Sequence, residues 1–184
     1  MITPPVSRPA QVHPAAPSGR TGQTLPVTLF EAPTTDPAAT VVFTDGACIG
    51  NPGPGGWAWA ISGSEYESGH DEQTTNQRME VTAVLQALGA ISGQVHVVSD
   101  STYVVNCFKQ RWWAGWRARG WRNSRGEPVA NQDLWRPLVD EVVDRRRGEI
   151  QLTWVKGHSG DPMNELVDRL AVEAARMQRG AHSG

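Results

Sequence analysis

The chain has 184 residues, 39 % hydrophobic and 20 % charged, enough apolar material for one soluble domain with a real core and a tail. Two cysteines, Cys48 and Cys107, with no CxxC pair exclude a disulfide framework and a structural zinc site; no apolar run nears the roughly 20 residues of a membrane span, and no signal peptide precedes the domain, so the reading is cytoplasmic. The net charge of −2 argues against a polyanion partner until its distribution is read: from Ser101 to Ala130 six basic residues oppose only Glu127, a net of +5, and the rest of the chain carries −7.

Residues 1–38 are punctuated by eight prolines among Ser, Thr, Ala and Gly, and read as a disordered Pro-rich leader, with Val27 to Phe30 the one short apolar run that could dock. Ordered sequence begins near Thr40, so that 39–178 form the folded domain and 179–184 a flexible tail. Val41 to Thr44 is a strand ending at Asp45-Gly46, and Asn51 to Gly56 a loop by composition. Trp57 to Ile61 and Ser64 to Gly69 form a hairpin. From Thr75 to Ile91, Met79, Ala83, Val84, Ala87, Leu88 and Ile91 recur at helical spacing. Val95 to Ser99 is a strand, Ser101 to Phe108 a short helix, Asp133 to Arg147 a longer one and Ile150 to Val155 a strand. The last helix opens at Asp161-Pro162, a cap followed by proline at the first helical position. The order β-β-β-α-β-α-β-α predicts an α/β fold with three leading strands in an antiparallel meander.

Four acids stand at informative places. Asp45 ends the first strand and Asp100 the fourth; if those strands are parallel neighbours, both carboxylates emerge at the carboxyl edge, where open α/β sheets place their sites. Glu80 lies one turn into the first long helix, and Asp168 sits partly on the apolar side of the last. Singly, each reads equally as a cap, an ion-pair partner or a solvated carboxylate. Together, with no matched basic residue beside them and no Cys or paired His, they suit a hard cation, Mg²⁺ or Mn²⁺.

Trp112 to Arg122 interleaves four of the eight tryptophans with arginines, a pattern that offers flat apolar faces to bases or sugars and guanidinium forks to phosphates. The competing reading, an amphipathic helix with a Trp-rich inner side, accounts for the indoles but not for the lack of compensating acids. His158, flanked by glycines after Trp154-Val155-Lys156, could relay protons beside an acidic metal site. The glycines from Gly53 to Gly56 lack a following Gly-Lys-Ser/Thr and are no P-loop.

Read together, Phe43-Thr44-Asp45-Gly46-Ala47-Cys48, Asn51 to Trp57, Thr74 to Glu80, Ser99-Asp100-Ser101, Trp154 to His158 and Asn164 to Asp168 resemble a type 1 ribonuclease H of the bacterial kind, from about Val41 to Arg176. The resemblance implies a ribonuclease H-like fold with a central mixed five-stranded sheet, three antiparallel leading strands and two parallel ones, flanked by helices. It implies an endonuclease that hydrolyses the RNA strand of RNA–DNA hybrids with little sequence specificity, leaving 5′-phosphate and 3′-hydroxyl ends. Asp45, Glu80, Asp100 and Asp168 match the family's metal-binding carboxylates, which hold two Mg²⁺ ions, with Mn²⁺ able to substitute, and His158 matches its catalytic loop histidine. Cys48, Asn51 and Asn76 match positions that approach the nucleic acid. Thr75, Arg78 and Asn131 match positions at backbone phosphates or supporting the site. Trp112, Trp116, Arg117, Arg119 and Trp121 match the basic protrusion that grips the DNA strand. Gln77 and Thr102 depart from the family pattern at positions bearing on sequence context, and Ala118 and Ala130 replace residues that are often Lys. The resemblance also implies a monomer; a single-stranded DNA-binding protein as partner is not legible in these residues.

Two rival readings have distinct marks. A DNA-directed integrase, transposase or junction resolvase would share clustered acids but lack the Met79-Glu80 context and the Trp/Arg protrusion. A hybrid-binding protein with a dead site would have lost at least one of the four acids, and all four are present.

Overall fold

The computed structural model describes residues 38–183, so the expected leader, Val27 to Phe30 included, lies outside the described residues. The meander is present: β1 (Thr40–Cys48), β2 (Gly53–Ser62) and β3 (Glu65–Thr74) pair antiparallel in succession. On the other side of β1, β4 (Val95–Ser99) and then β5 (Ile150–Trp154) add in parallel, with Thr44 opposite Ser99 and Ser99 opposite Trp154. The sheet has six strands rather than five. Ala181–Ser183, inside the segment expected to be a flexible tail, forms β6 on the free edge of β3, where Ser183 Oγ donates to Ser64 O at 2.6 Å and Ala181 N to Ser68 Oγ at 3.1 Å. The order is β5-β4-β1-β2-β3-β6.

Two boundaries move for a physical reason. β1 runs three residues past Asp45, and β2 begins inside the glycine stretch expected to be a loop. Those glycines are strand residues because nothing larger fits: a Cβ on Gly55 would meet Thr74 and Met79, and one on Gly56 would meet the backbone of Ala171 and Ala175. Glycine composition here reports close packing, not a turn.

Helices cover both faces. On one, α1 (Asn76–Ala90), α2 (Thr102–Lys109), α3 (Trp112–Ala118) and α4 (Gln132–Val139) enclose a core of Val42, Val84, Leu88, Val97, Phe108, Trp135, Leu138 and Leu152. On the other, α5 (Pro162–Met177) lays Val167 and Ala171 against Ala58 and Ala60 of β2. The helix expected as one piece from Asp133 to Arg147 is two: α4 contains Pro137, and the chain widens into a π-helical turn, Asp140–Arg145, closed by Arg146 N donating to Glu141 O at 2.9 Å. Among the described residues no helix is long and apolar enough to cross a membrane.

Arg146 ties this turn to the end of α1. Its guanidinium donates to Leu88 O at 3.1 Å in the last turn of the helix, and to Ile91 O at 2.8 Å and Gly93 O just beyond it. Arg146→Met keeps most of the aliphatic stem but orphans these carbonyls. We expect a loss of about 1–3 kcal/mol, seen as a lower urea midpoint at unchanged slope.

Candidate active site

Asp45 is the middle of the site because β1 is the middle of the parallel-antiparallel junction. The register that sets Thr44 beside Ser99 puts Asp100, the first residue after β4, next in line to Asp45 on β1. The next residue, Gly46, decides how near α1 can come: a Cβ there would run into Glu80 N and the Met79 carbonyl carbon. Bare backbone at Gly46 therefore lets the first turn of α1 rest on β1 and deliver Glu80 to Asp45. Asp168 comes from the opposite face, half-buried on α5 one turn after Asn164.

Electrostatics follow from that convergence. Asp45 is only 9 % exposed, and its carboxyl is pushed from 3.8 to about 8. Desolvation is the main cause; Asp100, Asp168 and Glu80 add repulsion, which Gly46 N–H, donating to Oδ1 at 2.7 Å, partly offsets. Burial also raises Glu80, whose two oxygens accept from Asn76 Nδ2 at 2.9 Å and Ser101 Oγ at 2.7 Å. None of the four acids forms an ion pair with Lys or Arg among the described residues. Among the described residues no three His, Cys, Asp or Glu side chains are gathered closely enough to hold a metal ion.

Asp100 is held from two elements. Asn164 Nδ2 donates to its Oδ2 at 3.3 Å, and the half-exposed Trp154 donates from Nε1 to its carbonyl at 3.0 Å. The loop after β5 passes so near that a Cβ on Gly157 would meet Asp100 Oδ2 at 2.5 Å. His158 follows at once, exposed and in the left-handed region at φ 51°, so the loop carries it beside the acidic centre. Asn164 is 2 % exposed, and its Oδ1 has no hydrogen-bond partner among the described residues, an orphaned acceptor beside Asp100. Oxygen donors, a buried carboxyl held near 8 and no neighbouring cation fit a hard divalent ion.

Four candidate contact residues gather at the start of α1. Asn51 Oδ1 accepts from Asn76 N at 3.0 Å, Thr75 Oγ1 caps the helix by accepting from Arg78 N at 3.4 Å, and the Cys48 thiol donates to Thr74 O at 3.4 Å. Arg78 and Asn131 stand further along, joined at 3.4 Å, with Arg78 gripping both oxygens of Asp133 at 3.0 and 2.8 Å. The Trp/Arg segment stands apart as α3 and the turn after it. Its indoles are half-buried and stack inward, Trp116 lying 5.6 Å from Trp135 and between Trp112 and Trp121. One of its arginines is compensated, against the local charge count: Arg117 reaches Asp140 at 2.6 Å and Asp144 at 2.5 Å.

Ser101, Asn164, Trp154, Asp133, Asp140 and Asp144 escaped the sequence reading as site or partner residues. Asn164 was findable, since it lies four residues before Asp168 on one helix face. The two partners of Arg117 were not, being 23 and 27 residues away.

Asp45 and Asp100 thus stand at the carboxyl edge of a mixed sheet, with repulsion from Asp100, Asp168 and Glu80 felt at Asp45. The family model for RNase H matches residues 37–176. The Ribonuclease H of Granulibacter bethesdensis is 51 % identical over 138 residues, 72 % of this chain and 89 % of that protein; the Ribonuclease H of Syntrophomonas wolfei is 45 % identical over 142 residues, 74 % and 95 %. A crystal structure of LC9-RNase H1, described as a type 1 RNase H with the type 2 active-site motif, superposes with a TM-score of 0.63 at 28 % identity, covering 82 % of this chain and 81 % of that one. A foamy viral protease-reverse transcriptase in complex with dsDNA gives 0.65 at 26 % identity, covering 76 % and 95 %. The chain belongs to the ribonuclease H family, in its bacterial type 1 branch, and is an endonucleolytic hydrolase.

Proposed function

We propose that the protein cuts the RNA strand of RNA–DNA hybrids endonucleolytically, leaving 5′-phosphate and 3′-hydroxyl ends, with Mg²⁺ held by Asp45, Glu80, Asp100 and Asp168 and Mn²⁺ able to replace it. The observation that carries this reading is the Asp45 carboxyl, buried, raised to about 8 and ringed by three further carboxylates without a cationic partner. Bound there, divalent ions supply an activated water and neutralise the leaving oxygen. Gly46 N–H holds Oδ1 of Asp45 at 2.7 Å. Asn76 and Ser101 orient Glu80, and Asn164 and Trp154 orient Asp100, so that two of the four acids are held in place from outside the centre. His158, on its exposed loop, moves protons to or from the leaving group. Asn51 and Asn76, bridged to one another beside Cys48 and Thr75, form the edge that meets the minor groove, where 2′-hydroxyls mark the RNA strand. A monomer in a reducing compartment goes with this reading, in keeping with the free Cys48 and Cys107.

Cleavage of a hybrid labelled on each strand in turn, with Mg²⁺ and with EDTA, tests it. Only the labelled RNA shortens, only with the ion, and duplex DNA stays intact. A resistant hybrid with cut duplex DNA would return the chain to the integrase-like alternative.

A further inference from the structure

The stretch from Ser101 to Ala130 that carries the Trp/Arg protrusion contains six cationic side chains, and one of them differs from the rest. Arg117 lies between three partners: it donates to Asp140 Oδ1 at 2.6 Å and to Asp144 through both nitrogens at 3.2 and 2.5 Å, with its guanidinium carbon 5.5 Å over the Trp113 ring. Lys109, Arg111, Arg119, Arg122 and Arg125 have no carboxylate within ion-pair distance among the described residues. Both acids of the Arg117 clamp lie in the π-helical turn after α4, at its first and fifth residues, so the contact runs from the protrusion to the body. A phosphate reaching Arg117 would have to displace two carboxylates already at charge-assisted hydrogen-bond distance.

We infer that Arg117 is a positioning residue and not a phosphate contact: clamped by Asp140, Asp144 and the face of Trp113, it holds α3 at a fixed tilt on the body and presents the remaining cations as one array. The inference rests on the hybrid-binding reading above. It explains why two acids stand next to a surface that must attract a polyanion. A fork that grips planar partners on both sides also locks an angle, which a point charge would not. Arg117 holds the Asp144 carboxyl below its ordinary value, so the clamp stays charged through the neutral range.

The two readings of Arg117 predict opposite signs for one variant. Asp140→Asn with Asp144→Asn removes two negative charges and frees Arg117. If Arg117 met phosphate, hybrid binding would tighten and its salt dependence steepen. Under the clamp, binding weakens several-fold although the protein has become more positive. Arg117→Met weakens it similarly, the triple variant is no weaker than either parent, and Arg117→Met leaves the slope of log K against log salt unchanged, whereas a lost phosphate contact would flatten it by roughly one. Amide exchange across Trp112–Ala118, measured without nucleic acid, accelerates in all three variants. Tighter binding by the Asn pair, or a flatter slope in Arg117→Met, overturns the inference, as does unchanged exchange. A wild-type protein that binds no hybrid overturns the proposed function instead, and the exchange result alone then decides the clamp.

Discussion

Asp45→Asn abolishes cleavage, by at least about 10³-fold or some 4 kcal/mol of transition-state stabilisation, and yet makes the metal-free protein harder to melt. Both effects come from one buried carboxyl. Its folded value of about 8 lies above the unfolded 3.8, so the folded state binds the proton more tightly. With that sign, the group's favourable contribution is complete below pH 4, is lost as pH rises from 4 to 8, and is gone above it. Taken alone, a rise from 3.8 to about 8 would be worth roughly 6 kcal/mol, and water entry and side-chain relaxation reduce it to about 1–3 kcal/mol. Asn mimics the protonated form at every pH. In EDTA at low salt the mutant therefore melts several degrees above wild type at pH 8, at about 2–4 °C per kcal/mol, and the gap closes toward pH 4. Mg²⁺ raises the wild type more than the mutant, because a ligand stabilises the state that binds it. Residual activity above a few per cent would remove Asp45 from the chemistry. A mutant melting lower at pH 8 would mean that the Gly46 hydrogen bond, and not repulsion, dominates at this carboxyl.

Gly46→Ala brings a large loss of stability. The added methyl meets Glu80 N and the Met79 carbonyl carbon, which are helix backbone and cannot rotate aside as a side chain would. Either α1 lifts from β1 or the strand bends, and we expect at least about 3 kcal/mol of destabilisation, at the upper end for overpacking. Glu80 moves with the helix, so cleavage falls even at temperatures where the variant remains folded. Gly63→Ala and Gly89→Ala are the controls: no atom lies within 4 Å of a Cβ at either position, and both should stay near wild type in urea melts and turnover. If Gly46→Ala matched these controls, the close approach of α1 would not be what sets the distance between Glu80 and Asp45.

The residues that were legible in the sequence are those whose signal is local. The run from Thr75 to Ile91 gave α1 within a residue at each end, because a capping threonine and a 3.6-residue apolar period both act within one helix. Val95 to Ser99 came out unchanged as β4, buried at every position around Val95, Val97 and Val98. The convergence of Asp45 and Asp100 was readable once the strands were taken as parallel neighbours. Three features were not readable, each because its cause lies elsewhere in the chain. The glycines before Trp57 are strand because α1 and α5 press on them. Arg117 is neutralised by acids that only the fold brings near. The short β6 has no strand signal of its own in Ala181-His182-Ser183 and exists because β3 offers it a ladder.

That last pairing bears on how the protein keeps from adhering to copies of itself. A ten-residue outer strand is a template for another chain's backbone. Here β6 occupies the ladder positions of Tyr66, Glu67 and Ser68, and the exposed acids Asp71 and Glu72 stand on the stretch it leaves uncovered. The blocking peptide and the repelling charges divide one edge between them. Trimming the chain before Ala181 would remove the first and leave the second, exposing the most apolar part of that edge, at Tyr66, to edge-to-edge growth into fibrous aggregates.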